Sequence, residues 1–152
     1  MIGSVSLRPR VLLVDDDEDV RHMTRVGLGF EGFDVIEAAD GLAGLAAARA
    51  ERPVAIVLDV MMPGLDGLDV LRVIRADRTL ADLPVVVLTA RSGAAAEKEG
   101  WDAGATAYVT KPFTGTALAG TLRRLLDGGS EGRARHDLAA GLTAAAEVSP
   151  RT

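Results

Sequence analysis

Five polar residues of this chain stand at or directly after the end of a short apolar run. They are Asp15, Asp16, Asp59, Thr89 and Lys111. Three carboxylates that meet repel one another and raise a pKa, and a hard divalent cation such as Mg²⁺, which prefers oxygen ligands, relieves that conflict. A threonine hydroxyl and a lysine ammonium can hold the oxygens of an incoming phosphoryl group. These residue types therefore indicate metal-dependent phosphoryl chemistry, provided that the fold gathers them at one place.

Strand and helix signals that alternate along the chain can gather these residues. The strand signals are Val11–Val14, Asp34–Glu37, Val54–Leu58, Val85–Leu88 and Thr106–Val109. Alternation with short connections predicts a parallel sheet with right-handed crossovers and helices on both faces. The first, third and fourth runs are apolar throughout and belong in the centre, whereas the second is more polar and belongs at an edge. We therefore predict an α/β, flavodoxin-like (βα)5 doubly wound parallel sheet of strand order 2-1-3-4-5, which binds ligands at its carboxyl edge.

The helices are predicted from apolar residues at helical spacing. The first helix is indicated by Val20, Met23, Gly27 and Phe30. An alanine-rich segment, Ala94 to Ala103, predicts the fourth helix.

The end of the last helix also sets the predicted domain boundary. We expect that helix to end at the glycine pair 128 and 129, so that residues 1–127 form one domain. Residues 128–152 begin Gly-Gly-Ser-Glu-Gly, a composition typical of a flexible linker. The alternative for this tail is one short amphipathic helix through Leu138 and Leu142.

Composition excludes several classes of protein. Apolar residues make up 48% of the 152 residues, which is enough for a sizeable core and argues against disorder throughout. The absence of cysteine excludes disulfides, thiolate metal sites and cysteine nucleophiles. No apolar run approaches the roughly 18 residues that cross a bilayer, so we expect a cytoplasmic protein without membrane insertion. The net charge of −5 offers no basic face, so we expect no direct contact with nucleic acid.

Four motifs, in order and each at a strand end, resemble those of a known family. They are Val14-Asp15-Asp16, Asp59-Val-Met-Met-Pro63-Gly64, Thr89-Ala90 and Lys111-Pro112-Phe113. Together they are similar to the motifs of response-regulator receiver domains of two-component signalling, in particular those like the chemotaxis regulator. The resemblance covers about residues 8–127.

The resemblance implies a metal site and a phosphoacceptor. Asp59 matches the residue that accepts the phosphoryl group, and Asp15 and Asp16 match the acidic pair that binds Mg²⁺, for which Mn²⁺ can substitute. Asp16 would contact the metal directly and Asp15 mostly through water. Asp59 and the backbone carbonyl of Met61 would complete the protein's ligands.

The resemblance also implies a phosphoryl-binding group and a switch. Thr89, Ala90 and Lys111 match residues that bind the phosphoryl oxygens and pass on the signal. Tyr108 matches an aromatic residue that turns inward when the hydroxyl residue moves towards the phosphate. A plain aromatic residue on an edge strand remains an equal alternative for Tyr108.

The implied function is that of a single-domain response regulator. A sensor histidine kinase or a histidine phosphotransfer protein would phosphorylate it, and the surface of residues 93–127 would contact an unknown downstream protein or a second copy in a phosphorylation-dependent homodimer. It would not be an enzyme beyond its own phosphotransfer and slow autodephosphorylation. Slow loss is expected because Met61, two positions beyond the phosphoacceptor, cannot orient water and Arg91 could shield the phosphate.

Three other functions remain as alternatives. A degenerate receiver would act as a scaffold without phosphorylation. A phosphatase of the haloacid dehalogenase type also uses Asp, Thr, Lys and Mg²⁺, but the acidic run after the first strand, Asp15 to Asp19, lacks that class's threonine. A flavodoxin-like cofactor binder needs a phosphate-binding loop rich in Ser, Thr and Gly there, and five acids would repel a phosphate.

Overall fold

The computed structural model describes residues 8–91 and 93–139, with side chains described as far as residue 127. Within those ranges, five strands alternate with five helices. In chain order they are β1 (Arg10–Val14), α1 (Glu18–Phe30), β2 (Asp34–Ala38), α2 (Gly41–Glu51), β3 (Ala55–Asp59), α3 (Gly67–Ala76), β4 (Val85–Thr89), α4 (Ala94–Ala103), β5 (Ala107–Thr110) and α5 (Gly115–Ala139). Each predicted strand is present, and its ends differ from the prediction by one residue at most.

The strands form one parallel sheet in the order β2-β1-β3-β4-β5, which confirms the predicted topology. All residues of β3 and β4 are buried, whereas four of the five residues of the edge strand β2 are not. Val14 pairs with Leu58, and Asp59 pairs with Leu88, so β1, β3 and β4 end side by side. This register brings the polar residues that follow these strands to one edge.

Helices cover both faces of the sheet, and alternate strand residues point into two separate cores. The first core lies under α2 and α3 and contains Leu12, Val14, Ile56, Leu58, Val85 and Val87 from the strands, with Leu45, Val70, Leu71 and Ile74 from the helices. The second core lies under α1 and α5 and contains Val11, Leu13, Val57, Val86 and Leu88, with Leu28, Leu118 and Leu122. The sheet is therefore packed against helices on both faces, and these two cores leave its carboxyl edge uncovered.

The buried face of α1 differs from the spacing that predicted this helix. Thr24 and Leu28 are buried, whereas Met23 and Phe30 are 71% and 88% exposed. Apolar residues occur on more than one side of this helix, so their spacing indicates a helix without fixing which side faces the sheet. The small Thr24 side chain, four residues before Leu28, occupies the position that an apolar residue would normally take.

The last helix continues past the predicted end at the glycine pair 128 and 129 and reaches Ala139. Glycine in a helix interior costs about 1 kcal/mol relative to alanine, which weakens a helix but does not stop it. Residues 128–139 of the predicted tail are helical, whereas residues 140–152 lie outside the described part, so the predicted helix through Leu142 remains a prediction. No helix in the described ranges is long and apolar enough to cross a membrane.

Gly67, the first residue of α3, lies against the backbone that carries Asp59. A Cβ atom at this position would be 2.3 Å from the Asp59 carbonyl oxygen and 2.6 Å from the Val60 Cα. The Gly67 N–H also donates a hydrogen bond of 3.0 Å to the Val60 carbonyl. Only glycine lets α3 start this close to the end of β3.

We predict that Gly67→Ala lowers the free energy of unfolding by about 1–3 kcal/mol, because the added methyl group must displace backbone. Gly29→Ala is the matched control, since a Cβ atom there meets nothing within 4 Å. That control should keep or raise stability, by up to about 1 kcal/mol. Urea unfolding measures both. Equal stability of the two variants would contradict the packing role of Gly67.

Candidate phosphoryl and metal site

Three carboxylates meet at the carboxyl edge of the sheet, as the sequence predicted. Asp15 directly follows β1, and Asp59 is the last residue of β3. Both are buried, with Asp59 only 3% exposed, whereas Asp16 is exposed. Carboxylate oxygens of all three lie within 4.8 Å of one another.

Backbone and lysine contacts satisfy only part of this cluster. One Asp15 oxygen, Oδ1, accepts from the Asp17 N–H at 2.9 Å, and Asp59 Oδ1 accepts from the Met61 N–H at 3.2 Å. The Lys111 ammonium lies 3.4 Å from Asp59 Oδ1 and 3.7 Å from Asp15 Oδ2. Asp15 Oδ2 is buried and has no hydrogen-bond partner.

The chemistry of this cluster fits a hard divalent cation. Three carboxylates against the Lys111 ammonium leave excess negative charge. Asp15 Oδ2 accepts no hydrogen bond and lies 3.7 Å from the Lys111 ammonium, a long contact, and a divalent cation would compensate this buried oxygen better, since a buried polar atom without a hydrogen bond costs free energy. Mg²⁺ binds through few carboxylates and keeps several waters, so the exposed Asp16 suits the solvent side of such a site.

Burial controls the protonation of Asp59. Desolvation raises the pKa of Asp59 from 3.8 to about 6, the Lys111 ammonium lowers it, and the neighbouring Asp15 carboxylate raises it. At neutral pH the carboxylate is therefore ionised at a cost in free energy. A bound divalent cation would relieve this cost.

The phosphoryl-binding residues predicted after the fourth and fifth strands lie at the same edge of the sheet as Asp59. Thr89 ends β4 and is 1% exposed, and the exposed Ala90 follows it. The N–H of Lys111 donates to the Thr89 carbonyl at 2.7 Å, which fixes the lysine backbone to β4. The Lys111-Pro112 peptide bond is cis. Thr89 Oγ1 accepts from the Arg91 N–H at 2.9 Å, so its hydroxyl proton can still be donated to another group.

Tyr108 on β5 points inward and is 7% exposed. Its hydroxyl donates to the Arg91 carbonyl at 3.1 Å, and its ring lies 6.0 Å from the Trp101 ring, tilted by 49°. A Cβ atom on Gly100 would be 2.9 Å from the Tyr108 ring, so glycine makes room for this position. Burial raises the pKa of Tyr108, which keeps its hydroxyl protonated and able to donate.

Arg21 contacts the site, although nothing in the sequence pattern around it indicates this. Its guanidinium donates to the Asp15 carbonyl at 2.8 Å and to Glu37 Oε1 at 3.0 Å. An arginine at a polar position of a helix is normally a solvated surface residue, so the sequence alone does not indicate a role for Arg21 in the site. Its partner Glu37 lies on β2, and only the folded sheet brings these residues together.

The fold and this acidic edge define a doubly wound α/β domain with its polar groups at the carboxyl ends of the strands. The family model of the response regulator receiver domain matches residues 11–123. The chain therefore belongs to the response regulator receiver domain family of two-component signal transduction.

Individual proteins show the same relationship. The response regulator MprA of Mycobacterium avium is 48% identical over 117 residues, which are 77% of this chain and 50% of that protein. The DNA-binding dual master transcriptional regulator RpaA of Synechocystis is 39% identical over 118 residues, or 78% of this chain and 49% of that protein. This chain thus spans about half the length of these curated relatives.

Solved structures agree with the fold. The chemotaxis protein CheY4 of Vibrio cholerae is 34% identical, with a TM-score of 0.74 over 78% of this chain and 99% of that chain. The receiver domain of Francisella response regulator 1452 is 31% identical, with a TM-score of 0.73 over 78% of this chain and 97% of that chain.

We predict that Asp59→Asn stabilises the metal-free protein at pH 7.5, because it removes a carboxylate that burial makes costly to ionise. The folded-state pKa of about 6 exceeds the ordinary 3.8, so folded protein binds more protons and its stability falls as pH rises between these values. At about 1.4 kcal/mol per pKa unit, the gain is at most about 3 kcal/mol. This gain in stability should vanish near pH 4, because Asp59 of the folded wild type is then protonated and as uncharged as the asparagine of the variant.

The measurement is urea unfolding of both proteins in EDTA at pH 4, 5, 6 and 7.5. A variant no more stable than the wild type at pH 7.5 would show that Asp59 is ionised without cost.

Proposed function

We propose that this receiver accepts a phosphoryl group on Asp59 in a Mg²⁺-dependent reaction and signals through protein contacts. One observation carries the proposal: the buried Asp59 carboxylate, with a raised pKa, lies 3.4 Å from the Lys111 ammonium and beside two further carboxylates. The donor is a sensor histidine kinase or a histidine phosphotransfer protein, and we place the chain in the cytoplasm.

The reaction is an in-line attack by an Asp59 oxygen on the phosphorus of a phosphohistidine. A P–O bond forms to the aspartate while the P–N bond breaks, and the imidazole leaves with the electron pair. Lys111 and Thr89 would hold the phosphoryl oxygens, one as a point charge and one as a hydroxyl donor, and the backbone N–H of Ala90 would add a further donor. Catalysis of this kind is mainly positioning and charge neutralisation.

A bound Mg²⁺ would supply positive charge between the aspartate and the phosphoryl oxygens. Asp16 and Asp59 would hold it directly, Asp15 mostly through water, and the Met61 backbone carbonyl would complete the protein's ligands. Mn²⁺ can take the same place, because it also accepts carboxylate, carbonyl and water oxygens.

The path from the phosphoryl group to the surface runs from Thr89 to Tyr108, whose side chains interact, and also through one residue of the β4–α4 loop. The Arg91 backbone bonds to Thr89 through its N–H and to Tyr108 through its carbonyl. Movement of the Thr89 hydroxyl towards a phosphoryl oxygen therefore changes both contacts. This biases the face formed by α4, β5 and α5, which would bind the downstream protein or a second copy of the chain.

Two residues support slow loss of the phosphoryl group. The Met61 side chain is 54% exposed and offers no group to orient an attacking water. Arg91 is the second: its guanidinium, paired with Glu99 of α4 at 2.9 Å, would shield the phosphate with a bulky cation once it turned towards Asp59. The chain thus acts as a switch with its own slow dephosphorylation, not as an enzyme that turns over a separate substrate.

Direct contact of this chain with nucleic acid is not part of the proposal. RpaA is a DNA-binding regulator, but this chain spans about half of that protein. We place the receiver in residues 1–127 and a tail in residues 128–152, whose first part continues α5 to Ala139, and we assign the signalling to protein contacts.

We predict that a small phosphoramidate with Mg²⁺ adds one phosphoryl mass to the wild type and none to Asp59→Asn, as read by intact mass. EDTA should abolish the gain. A wild type that binds Mg²⁺ without gaining mass would favour the scaffold alternative. Decay of the added mass with a half-life of seconds would contradict slow dephosphorylation.

We predict that Gly100→Ala uncouples the switch while Asp59 remains phosphorylated, because the added methyl group takes the space of the inward Tyr108 ring. The Trp101 ring lies 6.0 Å from the Tyr108 ring, so the fluorescence of Trp101 should respond to phosphorylation in the wild type and not in the variant. Gly120→Ala is the control, since a Cβ atom there comes no closer than 3.9 Å to its neighbour. An unchanged response in Gly100→Ala would leave Tyr108 as a plain edge-strand aromatic.

A further inference from the structure

We infer that Arg21 is a positioning residue for the metal site: its guanidinium fixes the peptide that joins Asp15 to Asp16. The inference rests on the proposed function, since it assigns to Arg21 a role in the affinity of the site for Mg²⁺. Arg21 itself would not touch the metal or the phosphoryl group.

The contact acts on the peptide unit between two metal-binding carboxylates. Arg21 Nη1 donates to the Asp15 carbonyl oxygen at 2.8 Å. A peptide unit is planar, so fixing its carbonyl also fixes the N–H and the Cα of Asp16. The direction in which the Asp16 side chain leaves the backbone therefore depends on Arg21.

Two other contacts restrain the N–H and the side chain of Asp15. Arg21 adds the restraint on its carbonyl. The Asp15 N–H donates to the Ala38 carbonyl of β2 at 3.1 Å, and its Oδ1 accepts from Asp17 at 2.9 Å. Asp15 is thus restrained at its N–H, its side chain and its carbonyl. With Arg21 removed, the first two restraints would leave the Asp15–Asp16 peptide able to rotate.

Arg21 is itself held in place. Its Nε donates to Glu37 Oε1 at 3.0 Å, and its side chain is 15% exposed. The planar guanidinium thus joins α1, β2 and the loop after β1 with one rigid group, a geometry that a lysine cannot reproduce. Glu37 also offsets the charge that Arg21 brings near a cation site.

Arg25, one helical turn further along α1, is the matched control. It pairs with the other Glu37 oxygen at 2.6 Å, and its Nη2 lies 3.1 Å from His22 Nδ1. Arg25 therefore carries the same charge and the same partner as Arg21, but its described contacts do not include the Asp15 carbonyl.

Removal of Arg21 has two effects, loss of a positive charge and loss of the hold on Asp15 and Asp16, and they predict opposite changes in Mg²⁺ affinity. A positive charge near a cation site repels the cation, so loss of charge alone would tighten Mg²⁺ binding. Loss of the hold on Asp15 and Asp16 would weaken it, since removing a partner that orients metal ligands typically costs about 10–100-fold in affinity.

The test is calorimetric titration of the full chain with Mg²⁺, without any phosphodonor. We expect Arg21→Ala to weaken binding by about tenfold or more and Arg25→Ala to change it by less than about twofold. Equal affinities of the two variants, or tighter binding by Arg21→Ala, would overturn the inference.

Arg21→Lys separates charge from geometry and serves if Arg21→Ala does not fold. It keeps the charge but loses the planar fork, so we expect weaker Mg²⁺ binding here as well. Wild-type affinity in Arg21→Lys would show that the planar guanidinium is not what holds the Asp15–Asp16 peptide, and would overturn the inference.

A second readout distinguishes positioning from a general loss of structure. In Arg21→Lys, the Mg²⁺ concentration for half-maximal phosphorylation of Asp59 should rise, while the rate at saturating Mg²⁺ stays near that of the wild type. A reduced rate at saturation with unchanged half-maximal Mg²⁺ would contradict the inference. Failure of the wild type itself to bind Mg²⁺ would instead defeat the proposed function, and this inference with it.

Discussion

The site depends on negative charge that the fold brings together and does not fully neutralise. A parallel sheet sends the carboxyl ends of its strands to one edge, so Asp15, Asp16 and Asp59 meet there, two of them buried. The Lys111 ammonium offsets part of this negative charge. The part that is not offset is evident from Asp15 Oδ2, which accepts no hydrogen bond, and from the raised pKa of Asp59. This residual negative charge is what a bound divalent cation would neutralise.

The surroundings hold that cluster in place and connect it to the surface. Gly67 lets α3 approach the backbone of Asp59, and the Lys111 backbone is bonded to β4. Arg91 links Thr89 to the inward Tyr108, for which Gly100 leaves space. This arrangement suits the proposed function, in which phosphorylation of Asp59 would change the contacts of the loop between β4 and α4.

The fold and the main polar residues could be predicted because both follow from strong local patterns. Strands buried on both faces read as continuous apolar runs, and each of these runs ends at a polar residue that the sheet brings to the same edge. The order 2-1-3-4-5 then follows from the polar character of the second strand. The family motifs at the same positions gave each residue an expected role.

Features that depend on contacts between distant residues could not be predicted in this way. The face of α1 was ambiguous because apolar side chains such as Phe30 also lie on its exposed side. The Arg21–Glu37 pair and the space around Gly67 exist only after the sheet has formed. The end of α5 was placed at a glycine pair because glycine's helix propensity is low, yet propensity alone does not end a helix.

The most direct test is to locate the metal in crystals. Anomalous diffraction from crystals grown with Mn²⁺ should show one peak at this edge, bonded to Asp16 and Asp59, with Asp15 close by. An ion elsewhere, or an acidic edge that stays empty at saturating metal, would contradict the claim that these carboxylates form a cation site.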